Sequence, residues 1–132
     1  MALSNFLIGL PAMLLCLILQ VAVAFSCVRY YVRQTTGGPA HSGFLAGIRP
    51  LLVAMLLMTV GNFLQIALWG LLFLQLGEFG ELYEAIYHSA VNFTSLGYGD
   101  VVMSKERKLL GPLEALNGVL MLGMTAAALM AI

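Results

Sequence analysis

The sequence predicts an all-α transmembrane fold: three spanning helices, with a short helix and a glycine-containing loop re-entering between the second and the third. Three observations carry this. Only 9% of the 132 residues are charged, against about 25% in soluble domains, while 61% are hydrophobic and the mean hydropathy is +0.98. Three apolar runs are each long enough to cross about 30 Å of hydrocarbon. Between the second and third lies an amphipathic stretch too short to cross, followed at once by Ser95-Leu-Gly-Tyr-Gly-Asp100. Irregular backbone is tolerated at membrane depth only where protein or water covers it, so this piece reads as re-entrant. The size allows one domain. A formal net charge of zero gives no sign of a nucleic-acid partner, and no catalytic constellation, metal cluster or nucleotide motif suggests an enzyme or a cofactor.

The first run extends from Phe6 to about Tyr31. Ala22-Val23-Ala24 looks like a signal-peptidase site, but Met1–Asn5 carries no positive side chain and the run exceeds the roughly 7–15 residues of a signal-peptide core. A retained helix is expected, with Pro11 in its first turn or at a kink. Cys16 and Cys27 lie about 16 Å apart along such a helix, too far to pair, and read as small buried apolar side chains.

Thr35, Thr36, Gly37, Gly38 and Pro39 form a loop signal, with His41 solvated beyond them. Arg29, Arg33 and Arg49 surround that loop without an acidic residue, which places it in the cytoplasm by the positive-inside rule. Residues 1–50 thus form an N-terminal helix and cytoplasmic loop. Pro50 suits the first turn of the second helix, predicted over 51–76 and ended by Gly77. Within it, Asn62 and Gln65 are expected to hydrogen-bond within or between helices.

Glu78, Glu81 and Glu84 alternate with Phe79, Leu82, Tyr83, Ile86 and Tyr87, predicting a short helix over 79–94 with its acidic residues favoured at the positive N-terminal end. His88 on this helix reads as a packing residue. The third spanning helix is predicted over 112–132, about 31 Å long. Glu114 near its start reads as a surface-level charge stabilised by the helix dipole, with a contact to the short helix as the functional alternative.

Residues 94–100, Thr-Ser-Leu-Gly-Tyr-Gly-Asp, resemble the selectivity filter of potassium channels, whose usual core is Thr-Val-Gly-Tyr-Gly-Asp. The likeness extends over Ala85-Ile-Tyr-His-Ser-Ala-Val-Asn-Phe-Thr-Ser-Leu-Gly-Tyr-Gly-Asp100 and Gly111-Pro-Leu-Glu-Ala-Leu-Asn-Gly118. A filter must replace an ion's hydration shell with rings of backbone carbonyls, and Gly97 and Gly99 supply the positive φ this needs. The single filter-like run is similar to single-pore bacterial potassium channels, and it makes residues 51–132 a pore module: outer helix 51–76, pore helix 79–94, filter 95–100, inner helix 112–132. The first helix lies outside that module and receives no family role.

The resemblance implies a homotetramer in the bilayer, since one loop cannot enclose an ion. It implies K⁺ as permeant ion, coordinated by backbone oxygens of Ser95, Leu96, Gly97 and Tyr98, with Thr94 and Gly99 at either end. Ser95 stands where threonine is usual and Leu96 where valine is. Leu96 and Tyr98 are expected to point away from the pore, Tyr98 against a neighbouring pore helix. Asp100 is expected to support the filter from the outer mouth; some relatives pair it with a carboxylic acid whose position is Val91 here, leaving Tyr87 to offer a hydroxyl. Glu114 is a further candidate support, and Gly118 and Gly123 are candidate hinges or close-packing points.

Filters of this family re-enter from outside, which agrees with the cytoplasmic first loop: N-terminus outside, C-terminus cytoplasmic, multi-pass in a cell (inner) membrane, a prokaryotic one by chain size. Lys105, Arg107 and Lys108 oppose that orientation. The expected function is passive, K⁺-selective conduction. The alternatives are a weakly selective cation channel, through Ser95 and Leu96, and a non-conducting modulatory subunit. No gating stimulus is legible: Arg29 and Arg33 are too few for a voltage sensor.

Overall fold

The computed structural model describes residues 2–36, 44–100 and 102–131; the loop expected around Gly37, Gly38, Pro39 and His41 lies outside them. Four helices follow in order: α1 (Ala2–Thr36), α2 (Phe44–Gln75), α3 (Leu82–Phe93) and α4 (Leu110–Ala131). The first, second and fourth are long and apolar enough to cross a membrane. In hydrocarbon every backbone N–H and C=O must find a partner, and a helix satisfies them within the segment. At 1.5 Å per residue, α1 and α2 are about 52 and 48 Å long and α4 about 33 Å.

Helix boundaries differ from the sequence expectation at several ends. Thr35 and Thr36 belong to the last turn of α1, not to a loop, and the Thr35 hydroxyl donates to the Tyr31 carbonyl at 2.9 Å. Pro11 lies well inside α1. Likewise α2 begins at Phe44, so Pro50 is an interior residue and not part of the first turn. A proline there forfeits the bond to the carbonyl four residues back and crowds that carbonyl, yet α2 continues through it. At the other end, α4 starts two residues before the predicted Pro112, whose missing N–H falls among those a helix start leaves unpaired anyway.

The first helix is an integral part of the bundle. Its Asn5 Nδ2 donates to the Glu106 carbonyl at 2.9 Å, and Arg107 Nη1 donates to the Ser4 hydroxyl at 3.2 Å. Further along, Ala12 and Cys16 share an apolar cluster with Leu110 and Leu113 of α4 and with Trp69 and Phe73 of α2. Val23, Ala24 and Cys27 pack with Ala54, Met58, Ala128 and Leu129. The order of these contacts makes α1 parallel to α4, with α2 antiparallel to both. Both cysteines are free and buried.

A polar network joins the three spanning helices in the bundle interior. Gln65 Nε2 donates to Gln20 Oε1 at 2.7 Å, Gln20 Nε2 donates to the Thr125 hydroxyl at 2.8 Å, and Asn62 Nδ2 reaches the same hydroxyl at 3.2 Å. Thr125 passes its own hydrogen to the Met121 carbonyl at 2.9 Å. Gln20→Leu keeps the side-chain volume and removes its bonds with Gln65, Thr125 and the Met121 carbonyl. We expect a loss of about 1–2 kcal/mol, read as a lower thermal unfolding midpoint in detergent.

Candidate functional site

The site is built where α2 hands the chain to α3 and α3 hands it to the 94–109 loop. Gly77, at φ +78, closes α2. Its N–H bonds the Leu74 carbonyl at 3.1 Å and the Glu78 N–H bonds that of Phe73 at 3.2 Å, a Schellman closure whose C′ residue must be left-handed. The short helix then begins at Leu82, three residues later than the sequence suggests. Glu78 is not at its N-terminus: its Oε1 accepts from the Ser104 hydroxyl at 2.6 Å. Phe79 folds back so that its ring lies 6.5 Å from that of Phe73 and 5.0 Å from that of His88.

Two glycines let α3 sit deep between α2 and α4. A Cβ on Gly70 would come within 3.0 Å of the Ile86 backbone, and one on Gly118 within 1.9 Å of the Phe93 carbonyl oxygen. Gly118 is therefore a close-packing point, whereas a Cβ on Gly123 would meet nothing within 4 Å. The buried face of α3 includes His88, Ser89 and Phe93. The His88 ring packs between Phe73 and Phe79, and its Nε2 lies 3.0 Å from Asn92 Nδ2.

Glu114 is fully buried, which corrects the surface-level reading. Because α4 starts at Leu110, Glu114 falls in its second turn on the side facing α3, and its Oε2 lies 2.6 Å from the Ser89 hydroxyl oxygen.

A second Schellman closure ends α3. The Ser95 N–H bonds the Asn92 carbonyl at 3.0 Å and the Leu96 N–H bonds that of Val91 at 2.9 Å. Ser95 occupies the left-handed C′ position, at φ +60, where glycine is usual. Gly97 follows at φ +67 and Gly99 at φ +74, while Leu96 and Tyr98 keep negative φ. Backbone handedness thus alternates residue by residue. Where left-handed residues alternate with right-handed ones, successive N–H groups gather on one side of the chain. The geometry also gives a reason for Ser95: a β-branched threonine at φ +60 is a conformational outlier, and serine is not β-branched.

Residues 94–100 are all exposed in the single chain. Leu96 and Tyr98, expected to pack behind the loop, are 54% and 68% exposed, because one chain supplies nothing to cover them. Asp100 is tethered: the Tyr87 hydroxyl donates to its Oδ2 at 2.9 Å. That bond, with the neighbouring negative charge, holds the Tyr87 phenol above its ordinary pKa. A cleft of about 650 Å³ lies behind the loop, between α3 and the start of α4, lined by His88, Asn92, Ser95, Lys108 and Pro112 among others. Among the described residues no group of three or more histidine, cysteine or carboxylate side chains could hold a metal ion.

Residues 62–132, more than half of the chain, match the family described as ion channel. The chain belongs to the ion channel family. The match takes in the C-terminal part of α2, the whole of α3, the left-handed loop and α4, and leaves α1 outside. No significant match exists among curated proteins or solved structures. Ion channel membership and three spanning helices make this a membrane protein whose family works by passage of ions.

The alternative reading of Glu114, a contact to the short helix, is the one the structure bears out. Sequence reasoning missed the seat of Ile86 over Gly70 and the grip of Gln20 on α4; only the latter left a signal, a glutamine in an otherwise apolar run.

Proposed function

We propose that four copies of this chain assemble a potassium-selective pore in a cell membrane, with residues 95–99 as its filter. The observation that carries the reading is the alternating backbone hand at Ser95, Gly97 and Gly99. The Schellman closure of α3 accounts for Ser95, and coordination of a dehydrated cation gives a reason for continuing the alternation through Gly97 and Gly99. Carbonyls of Ser95, Leu96, Gly97 and Tyr98 then coordinate K⁺, and Thr94 sits at the inner end. The exposed Leu96 and Tyr98 side chains find cover against neighbouring subunits. The C-terminal end of α3 points its partial negative charge toward the ion's path. The filter faces outward and the α1–α2 connection inward.

The test is ion flux from purified protein in liposomes under K⁺, Rb⁺ and Na⁺ gradients. K⁺ and Rb⁺ flux without Na⁺ supports the reading; equal Na⁺ flux replaces it with a weakly selective cation pore, and tetramers without flux with a modulatory subunit.

Tyr87 and Asp100 hold the outer end of that filter. Tyr87→Phe removes the tether and should make flux decline faster during sustained conduction, measured as the decay of Rb⁺ uptake. The tether also has a pH limit. The folded phenol titrates above the roughly 10 of a free tyrosine, so its contribution is complete below that value. It is lost only as pH rises through the higher folded pKa, and filter behaviour that depends on this bond should therefore be flat from neutral pH to about 10.

A further inference from the structure

Ser89 has one hydroxyl hydrogen, yet its Oγ lies 2.6 Å from two oxygens, the Ile66 carbonyl on α2 and Oε2 of Glu114 on α4. Both distances are those of O–H···O hydrogen bonds. A hydroxyl donates once and accepts twice, and a backbone carbonyl only accepts. One contact uses the serine hydrogen; the other needs a hydrogen from its partner. Ile66 has none to give through its carbonyl. Glu114 has one if its carboxyl group is in the acid form.

We infer that Glu114 is a neutral carboxylic acid that donates to Ser89, which donates in turn to Ile66, so that a two-hydrogen relay ties α4 through the pore helix to α2. Its surroundings agree. The side chain is fully buried and Oε1 has no partner. A carboxylate there would be a buried charge with only the Ser89 hydroxyl and the Asn92 amide beside it, while a neutral acid needs no counter-charge. The groups facing it are Ser89 and Asn92 from α3 and Cys16 from α1, and no lysine or arginine among the described residues pairs with it. His88, the other titratable group nearby, turns its ring toward Phe73 and Phe79 and its Nε2 toward Asn92.

Ser89 precedes the left-handed Ser95 by less than two helical turns, so the relay sets how deep α3 sits and where the filter begins. Glu114 is in this sense a positioning residue: it touches no ion and acts through Ser89. That role rests on the potassium-pore reading; the proton does not.

Infrared difference spectroscopy of the lipid-reconstituted wild type against Glu114→Gln at neutral pH tests the proton. The other four glutamates and Asp100 are common to both proteins and cancel. The expected result is a protonated-carboxyl stretch in the wild type that the variant lacks; carboxylate bands in its place overturn the inference. Flux tests the positioning. Glu114→Gln keeps a donor for Ser89 and retains wild-type K⁺ over Na⁺ selectivity, whereas Ser89→Ala breaks the relay and lowers it by about tenfold. An unchanged ratio in Ser89→Ala, or an equal loss in Glu114→Gln, overturns the positioning role. A wild type without K⁺ flux would refute the pore reading instead, and the infrared result would still decide the proton.

Discussion

Gly118→Ala is expected to prevent a stable pore from forming, while Gly123→Ala, on the same helix, leaves stability unchanged or raises it by up to about 1 kcal/mol. The difference follows from what each new methyl meets. At position 118 it would lie 1.9 Å from the Phe93 carbonyl oxygen and under 3 Å from that residue's carbonyl carbon and Cα. Those are backbone atoms at the end of α3, so no side chain can swing aside and the whole helix must move outward. Overpacking of that kind costs about 3 kcal/mol or more, and it displaces the residues that open the filter. At position 123 the methyl meets nothing within 4 Å. Thermal unfolding in detergent and the tetramer fraction by size-exclusion chromatography would show the contrast; equal stability of the two variants would mean that α3 and α4 do not approach at Gly118. Gly118 then serves packing.

The second large effect is functional and leaves the fold in place. Gly97→Ala should abolish K⁺ flux from liposomes while the protein still folds and assembles. A Cβ at Gly97 has room, its nearest contact being the Ser95 carbonyl oxygen at 4.0 Å. The penalty is therefore torsional, about 1–2 kcal/mol for an L-residue held at positive φ, and the loop can relieve it by rotating one peptide group out of line. In the proposed filter, one rotated carbonyl breaks a coordination ring. Gly77→Ala provides the control, because Gly77 has the same left-handed φ of +78 and equally open surroundings but closes α2 outside the loop. It should carry a similar stability cost and conduct normally. Flux surviving in Gly97→Ala would detach residues 95–99 from conduction altogether.

The spanning helices and the left-handed loop were legible in the sequence for physical reasons. Hydrocarbon imposes a minimum apolar length that Phe6–Tyr31, Leu51–Leu76 and Pro112–Ile132 satisfy, and positive φ leaves a compositional trace at Gly97 and Gly99. Boundaries were less legible, since Thr35 and Pro50 favour loops or helix starts only on average. Here a side-chain bond to the Tyr31 carbonyl and an apolar Phe44–Arg49 segment extend α1 and α2 past them. The left-handed Ser95 left no trace, because a Schellman closure imposes the conformation from carbonyls already fixed in α3. The contact of Glu114 with the short helix was legible only as an alternative, and its partner Ser89 was not: the two residues lie 25 apart on different helices.

The unequal helix lengths bear on how the molecule rides in its membrane. Ser4, Asn5, Glu106 and Arg107 put the start of α1 level with the start of α4, so the extra length of α1 and α2 overhangs at the far end, where Arg29, Arg33 and Arg49 can reach lipid headgroups. Residues 115–131 of α4 include no charged side chain to fix their own depth. A bilayer that thickens or thins pulls first on the arginine-bearing helices, and the displacement reaches α4 through Gln20 and Thr125. Depth in the membrane is thus set by α1 and α2, and α4 is held to that depth through Gln20, Asn62 and Thr125.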